Sequence, residues 1–577
     1  MVNDGPWEGF YTRSAMIKQI KLIMVERMQN LTANMRNAWH LLVEKGPSQI
    51  QFWLIALIIG VASGTAALGF RKGIEILQAS LYGTDDLTRL HSFAETLPWY
   101  WILLLPTVGG LIVGVILNWF THDGRVRSVA DVIEGAALWE GRVEKRAGLG
   151  SALASLVTLS TGGSSGREGP VVHLAAVIST WISVRINASG ITGRDLLGCA
   201  VAGAVSASFN APIAGALFAL EVVLRHFAVH AFAPIAIAAV SGTVINRLEY
   251  GGVTEFILPE EGSLAFYIEL PAFLILGLIS GMVAVILMRS IFWAEDLGNA
   301  VQHRLRLPRI LRPALSGFLL GGIAIYFPHI IGVGYETTSA ALTGQMTAGV
   351  AILFVAVKVA AVAITMAGRM GGGVFSPALM VGALTGLAFG IIATAIFPDV
   401  SGSETLYALA GMGAVAAAVL GAPISTTLIV FELTGDWQTG IAVMSAVSLS
   451  TALSSQLVDR SFFLTQLERR NIHLAAGPQA YLLSTVRVAQ VMRDLEHTRA
   501  AGEEHCWELI EAGVYVDGNT TLDVVMPLFE ATGERYIPVV TLGGEGDPPE
   551  LWGAVFHVDA LKAFNRALSE TAAEEHS

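Results

Sequence analysis

Residues 162–170 read Gly-Gly-Ser-Ser-Gly-Arg-Glu-Gly-Pro, with Thr161 just before them, inside an otherwise apolar part of the chain. An arginine–glutamate pair in such surroundings is costly and marks a functional position by default. Gly166 and Gly169 leave backbone N–H groups open to close approach. Pro170 suits the first turn of a helix. A helix beginning here presents unpaired N–H donors and the positive end of its dipole, and both attract an anion. Glu168 is then a carboxylate where a permeant anion also wants to sit. The alternative is a structural Arg167–Glu168 pair at a helix start.

On either side the sequence is built for lipid. Apolar blocks run through Phe52–Phe70, Trp101–Phe120, Phe273–Met288, Ala314–Phe327, Ala348–Met366 and Ile441–Leu457. Spanning a hydrocarbon core takes about 20 helical residues. Leu149–Leu159, Val171–Val184 and Leu196–Ala207 are shorter, and Gly, Pro or charge interrupts them. Broken segments persist in a membrane only where protein buries them or they line a polar cavity. They point to a transport site.

The chain also repeats. Residues 210–221 read NAPIAGALFALE and residues 421–432 read GAPISTTLIVFE, an offset of 211. GREGP at 166–170 and GVFSP at 373–377 place their prolines 207 apart. Two such matches in register predict two related halves, about 60–250 and 270–460.

Composition agrees. Hydrophobic types make up 53% of the 577 residues and charged types 14%, against roughly 25% in a typical soluble chain. Mean hydropathy is +0.59. Of the net charge of −12, the segment 471–577 carries −11, from 17 acids and 6 Lys/Arg; the first 470 residues hold 30 acids and 29 Lys/Arg. The acidity thus belongs to a soluble tail, and no basic face suggests nucleic-acid binding. Cys199 lies in an apolar stretch and Cys506 in the tail, which argues against a disulfide framework. Residues 1–48 lack the pattern of a signal peptide. Ile17–Leu42 reads as an amphipathic helix at the membrane surface. No HExxH, CxxC or Walker pattern supports a metal site, an NTPase or any other enzyme.

The tail predicts a lead-in at Val488–Met492, a strand at Val514–Val516, a helix at Thr521–Ala531 and a strand at Tyr536–Val540. A loop at Leu542–Pro549, a strand at Leu551–Phe556 and a helix from Val558 follow. This order resembles one CBS module.

GREGP, GGGVFSP at 371–377 and the two Ala-Pro-Ile runs resemble the CLC family of chloride channels and chloride/proton antiporters, from about Phe52 to Arg470. The resemblance implies an all-α polytopic membrane protein of two inverted-topology halves with tilted, broken helices. A small α/β tail, 471–577, follows the membrane domain at 49–470, and residues 1–48 precede it. The resemblance also implies a homodimer with one pore per subunit, in a bacterial inner membrane, with both termini cytoplasmic. Chloride is the implied substrate, without a cofactor. Glu168 matches the gating glutamate and Arg167 the arginine beside it. The amides of Val374 and Phe375 match those that bind the anion, alongside Gly166 and Gly169.

Three positions depart from the family pattern. Where the family has Gly-Ser-Gly-Ile-Pro, this chain has RSVAD at 127–131. Ser128 keeps the hydroxyl, so it reads as an anion ligand, as a helix N-cap with Asp131, or as both. In FALEVV, 218–223, Val222 stands at the internal proton-transfer glutamate. Glu221 is a candidate relay, but one residue along a helix turns a side chain by about 100°; its other reading is a structural carboxylate. In SFFLTQLERR, 461–470, Phe463 replaces a central tyrosine and lacks the hydroxyl that would donate to the anion. Glu432 reads as a buried structural carboxylate, and His173 as a packed histidine. In the tail, Phe556 stands where an adenine-nucleotide pattern wants Ser or Thr before Asp559, which argues against nucleotide binding.

The resulting expectation is selective chloride transport gated by Glu168, passive or weakly proton-coupled. The alternatives are a chloride/proton antiporter, a transporter of fluoride or another anion, and a membrane-anchored sensor with a vestigial pore.

Overall fold

The computed structural model describes residues 48–576, except 85, 87–88, 189, 226, 228, 253–255, 259–265, 399–400, 473, 475–481, 484–485, 498 and 542–549. The surface helix expected within 1–48 and the loop expected at 542–549 lie outside the described residues.

The first half comprises α1 (Gln49–Tyr82), α2 (Leu90–Ala94), α3 (Trp99–Phe120), α4 (Val129–Leu138), α5 (Lys145–Ser160), α6 (Glu168–Arg185) and α7 (Gly190–Phe209). Next comes α8 (Pro212–Phe218), which runs into a π-helical turn at Ala219–Leu224, and then α9 (Val229–Tyr250). The second half comprises α10 (Phe266–Arg304), α11 (Leu311–Ala324), α12 (Tyr335–Leu342), α13 (Ala348–Ala367), α14 (Phe375–Ile396), α15 (Glu404–Leu420), α16 (Pro423–Thr434), α17 (Trp437–Leu457) and α18 (Phe462–Glu468). Among the described residues, seven helical spans are long and apolar enough to cross a membrane. The segments that looked too short and broken form α5, α6 and α7, buried among the others.

Local chemistry sets the helix ends. Pro212 and Pro423 sit in the first turns of α8 and α16, where a missing N–H costs nothing. Asp436 accepts from the amides of Gln438 (3.2 Å) and Thr439 (2.8 Å) and opens α17.

The repeat becomes reciprocal contact. The carboxylate of Glu221 accepts from the amides of Ile424 (2.9 Å) and Ser425 (2.8 Å), in the first turn of α16. That of Glu432 accepts from Ile213 (3.0 Å) and Ala214 (2.7 Å), in the first turn of α8. All three positions in each set are related by the 211-residue offset. A contact in which i meets j and j meets i is the signature of two-fold relation. Each half caps the other's helix with a carboxylate at its positive end.

The tail forms a four-stranded sheet of β1 (Arg493–Asp494), β2 (Val516–Asp517), β3 (Tyr536–Thr541) and β4 (Glu550–Phe556), in the order β1-β4-β3-β2. β2 and β3 run parallel; the other pairs are antiparallel. Helices α19 (Glu503–Glu511), α20 (Leu522–Thr532) and α21 (His557–His576) accompany it. The expected β-α-β-β-α order is present; α19 and β1 are additions. Val516, Phe529, Ile537 and Val555 share its core. Asp559 accepts from Arg493 at 2.7 Å, so it is part of the tail's own framework. Cys199 and Cys506 are both buried free thiols.

Candidate anion site

The loops before α6 and α14 meet head to head. Gly166 N–H donates to Gly373 O at 2.7 Å, and Gly373 N–H donates to Gly166 O at 2.7 Å. These residues are 207 apart, the offset of the two prolines, so the second repeat also ends in a reciprocal contact. The approach demands glycine. A Cβ on Gly373 would lie 2.9 Å from Gly169 N, and Gly372 adopts φ +132°.

The helix ends therefore converge. Arg167 is the N-cap of α6, with Glu168 its first helical residue; Val374 is the N-cap of α14, with Phe375 its first. Gly166, Glu168, Gly169, Val374 and Phe375 are all buried, Glu168 at 3% exposure. One Glu168 oxygen takes a short hydrogen bond from the Ser376 hydroxyl, while Oε2 has no hydrogen-bond donor among the described residues. The carboxylate thus lies between two helix N-termini, the environment that binds a free anion.

The other expected residues spread outward. Arg167 Nη2 donates to Ser208 O at 3.0 Å, and the guanidinium lies 5.3 Å from the Tyr335 ring centroid. It lines a cavity of about 280 Å³ with Arg71, His91 and Glu336. Phe375 packs against Phe209 and Phe218, with ring centroids 4.8 and 5.9 Å away. Phe463 is buried against Phe462 at 5.8 Å. Ser128 opens α4, where its N–H donates to Asp131 Oδ2 at 2.7 Å. Ser128 also lines a cavity of about 490 Å³ that reaches Gly372 and, just after α18, Arg470 and Ile472. Ser128 is therefore the N-cap of α4, paired with Asp131 in a capping box, and it also faces this cavity.

That inner cavity was not foreseen. Arg125, Arg369, Arg469 and Arg470 line it, against the carboxylates Asp123, Glu134 and Glu295. Asp131 ties it together, accepting from Arg125 Nη2 at 3.1 Å and Arg470 Nη1 at 3.0 Å. Burial pushes the Asp123 carboxyl up, but the hydrogen bond and charge of Arg127, with help from Arg125, outweigh it and hold it below its usual range. The cavity is strongly charged, with four arginines and three carboxylates in its lining and Asp131 bridging two of the arginines.

Val222 is 5% exposed in the π-helical turn. Glu221, beside it, is turned to the first-turn amides of α16. His173 is buried with both ring nitrogens unpartnered among the described residues. Lys358 is fully buried in α13, with Nζ 3.4 Å from Ile330 O and 3.3 Å from Gly332 O.

Known proteins place this architecture. Residues 109–455 match the family described as voltage gated chloride channel. A ClcB-like chloride channel protein of Ralstonia nicotianae is 33% identical over 396 residues, covering 68% of this chain and 91% of its own. The voltage-gated ClC-type chloride channel ClcB of Citrobacter koseri is 28% identical, covering 71% and 97%. The solved structure of a slow cyanobacterial Cl⁻/H⁺ antiporter superposes with a TM-score of 0.64 at 20% identity, covering 74% of this chain and 98% of its own. That last likeness is one of fold.

Proposed function

The chain belongs to the CLC family of voltage-gated chloride channels and chloride/proton antiporters, and from that membership we propose that it moves chloride selectively, gated by Glu168, passively or with weak proton coupling. Anion transport is the family's activity; chloride, the gate and the coupling are our reading. One observation carries it: the Glu168 carboxylate lies where the N-termini of α6 and α14 converge, the seat a permeant anion would take. With the carboxylate there, an anion is excluded by charge and volume. When it is protonated or displaced, the helix ends are free for chloride. The inner cavity supplies anions from the tail side, through Ser128 and the arginines around it.

Weak coupling follows from what lies beneath the gate. A proton carrier needs titratable groups or ordered water, and a charge in an apolar stretch costs several kcal/mol. Val222 offers no such group. Glu221 is committed to the amides of Ile424 and Ser425, which favours its structural reading over the relay. In proteoliposomes, an imposed chloride gradient should dissipate readily while driving little or no uphill proton uptake. Stoichiometric proton movement would refute the weak-coupling reading; no chloride efflux would favour the sensor.

Phe463 gives an independent check. If α18 presents this residue to a central anion, Phe463→Tyr adds one donor. Chloride binding should strengthen by about 0.5–1.5 kcal/mol, the net worth of one hydrogen bond. Calorimetry showing unchanged or weaker binding counts against that placement. The homodimer, the inner-membrane location and the cytoplasmic termini belong to the same proposal, and the family resemblance supports them.

A further inference from the structure

A second cavity, of about 150 Å³, lies on the tail side between the end of α3, the start of α11 and the residues after α13. Its polar lining includes Asn118, His122, Gln302, Arg309, Arg312 and Arg369, and no carboxylate among the described residues. Three guanidiniums around one small space, without an acid, is an unusual concentration of positive charge.

Each arginine donates to uncharged acceptors, and the carboxylates of Glu295 and Asp123 act on Arg312 and Arg369 only through space. Arg309 Nη1 donates to His122 O at 3.2 Å, and Arg369 Nη1 to Asp123 O at 3.0 Å. Arg312 donates to Ala367 O (2.7 Å), Asn299 Oδ1 (2.6 Å) and Gln302 Oε1 (2.9 Å). All these acceptors are uncharged carbonyls. The neighbouring Asp123 carboxylate turns instead to Arg125 and Arg127, and Glu295 lines the inner cavity. Arg369 adopts φ +55° just after α13, where glycine is the usual choice. Holding an arginine in that conformation points to use of its side chain. Arg369 also lines the inner cavity, so one guanidinium is shared by the two spaces.

We propose that this cavity binds a phosphate group, borne by a phospholipid headgroup or by free phosphate, and that its occupation damps anion entry through Arg369. A water needs about 10–15 Å³ by the same measure, so 150 Å³ admits a tetrahedral oxyanion. Guanidinium forks match phosphate oxygens with paired N–H donors, a geometry a spherical chloride cannot exploit. Trp119, exposed on α3 next to the cavity residue Asn118, offers an apolar ring where lipid would run. Phosphate bound to Arg369 offsets one of the four positive charges of the inner cavity and lowers the local anion concentration there. The regulatory half of the proposal rests on the transport reading; the binding half does not.

The test uses the full chain. Calorimetry in neutral detergent compares sodium phosphate with sodium chloride at equal ionic strength. Chloride efflux is read from phosphatidylcholine vesicles with and without phosphatidic acid, and with soluble phosphate added on the tail side. Phosphate should bind at least tenfold tighter than chloride at this site, and Arg309→Gln should weaken it at least tenfold. Wild-type efflux should fall with phosphatidic acid, with soluble phosphate, or with both, which identifies the source. Arg309 lines this cavity and not the inner one, so Arg309→Gln should keep basal efflux and lose the inhibition. No binding of soluble phosphate together with no response to phosphatidic acid overturns the proposal. So does inhibition that survives undiminished in both Arg309→Gln and Arg309→Glu. Phosphate binding by a chain that passes no chloride upholds the site and refutes the transport reading.

Discussion

Glu168→Gln should abolish the pH dependence of anion flux. Glutamine keeps the shape of the side chain and an oxygen able to accept from the Ser376 hydroxyl, but it carries no charge at any pH. On the proposed gating, the wild-type carboxylate between two helix N-termini competes with the permeant anion by charge, and protonation removes that competition. A single titrating group changes an equilibrium by at most tenfold per pH unit, about 1.4 kcal/mol. Wild-type flux should therefore rise with acidity over one transition, and the Glu168→Gln flux should stay flat near the acidic plateau. Efflux from vesicles across a pH series checks this. A variant that keeps the wild-type profile excludes Glu168 as the gate.

The second large effect concerns the reciprocal caps. Glu221 and Glu432 each accept two amide hydrogen bonds at the first turn of a helix in the opposite half. Hydrogen bonds to charged groups contribute about 1.5–3 kcal/mol each. Both carboxylates are half-buried, so some of that is lost to screening. Glu221→Ala and Glu432→Ala should each destabilise the protein by about 2–4 kcal/mol, and their losses should be similar because the sites are two-fold mates. Thermal unfolding of detergent-solubilised protein measures both. An unchanged midpoint in either variant removes the capping role. A Glu221→Gln protein that loses measurable proton movement reinstates Glu221 as a relay.

The legible part of this molecule was written in short, local signals. Gly166, Pro170, Gly373 and Pro377 announce two helix starts within a few residues each, and the 207 offset between them predicted two related halves, though not that the two loops meet head to head. Ser376 could have been found the same way, since it stands 207 residues after Gly169 and donates to Glu168. The Ala-Pro-Ile runs located Glu221 and Glu432 but not their exchange of helix ends, because a partner 203 or 219 residues away leaves no local trace. The inner cavity was hidden for a related reason. Its arginines come from the loop before α4, the residues after α13 and the end of α18, and each alone reads as an ordinary charge at a helix end. Lys358 passed inside an apolar block because its acceptors, the carbonyls of Ile330 and Gly332, belong to another segment. The π-helical turn at Ala219–Leu224 has no residue signature, yet it sets where Glu221 points.

The reversal potential of the wild-type current under an imposed pH gradient tests the central claim most directly. Passive chloride movement, with Val222 where a proton carrier would be needed, predicts a reversal potential at the chloride equilibrium value whatever the pH difference. A reversal potential that shifts in proportion to the pH gradient would mean that protons move with chloride, and would contradict the account.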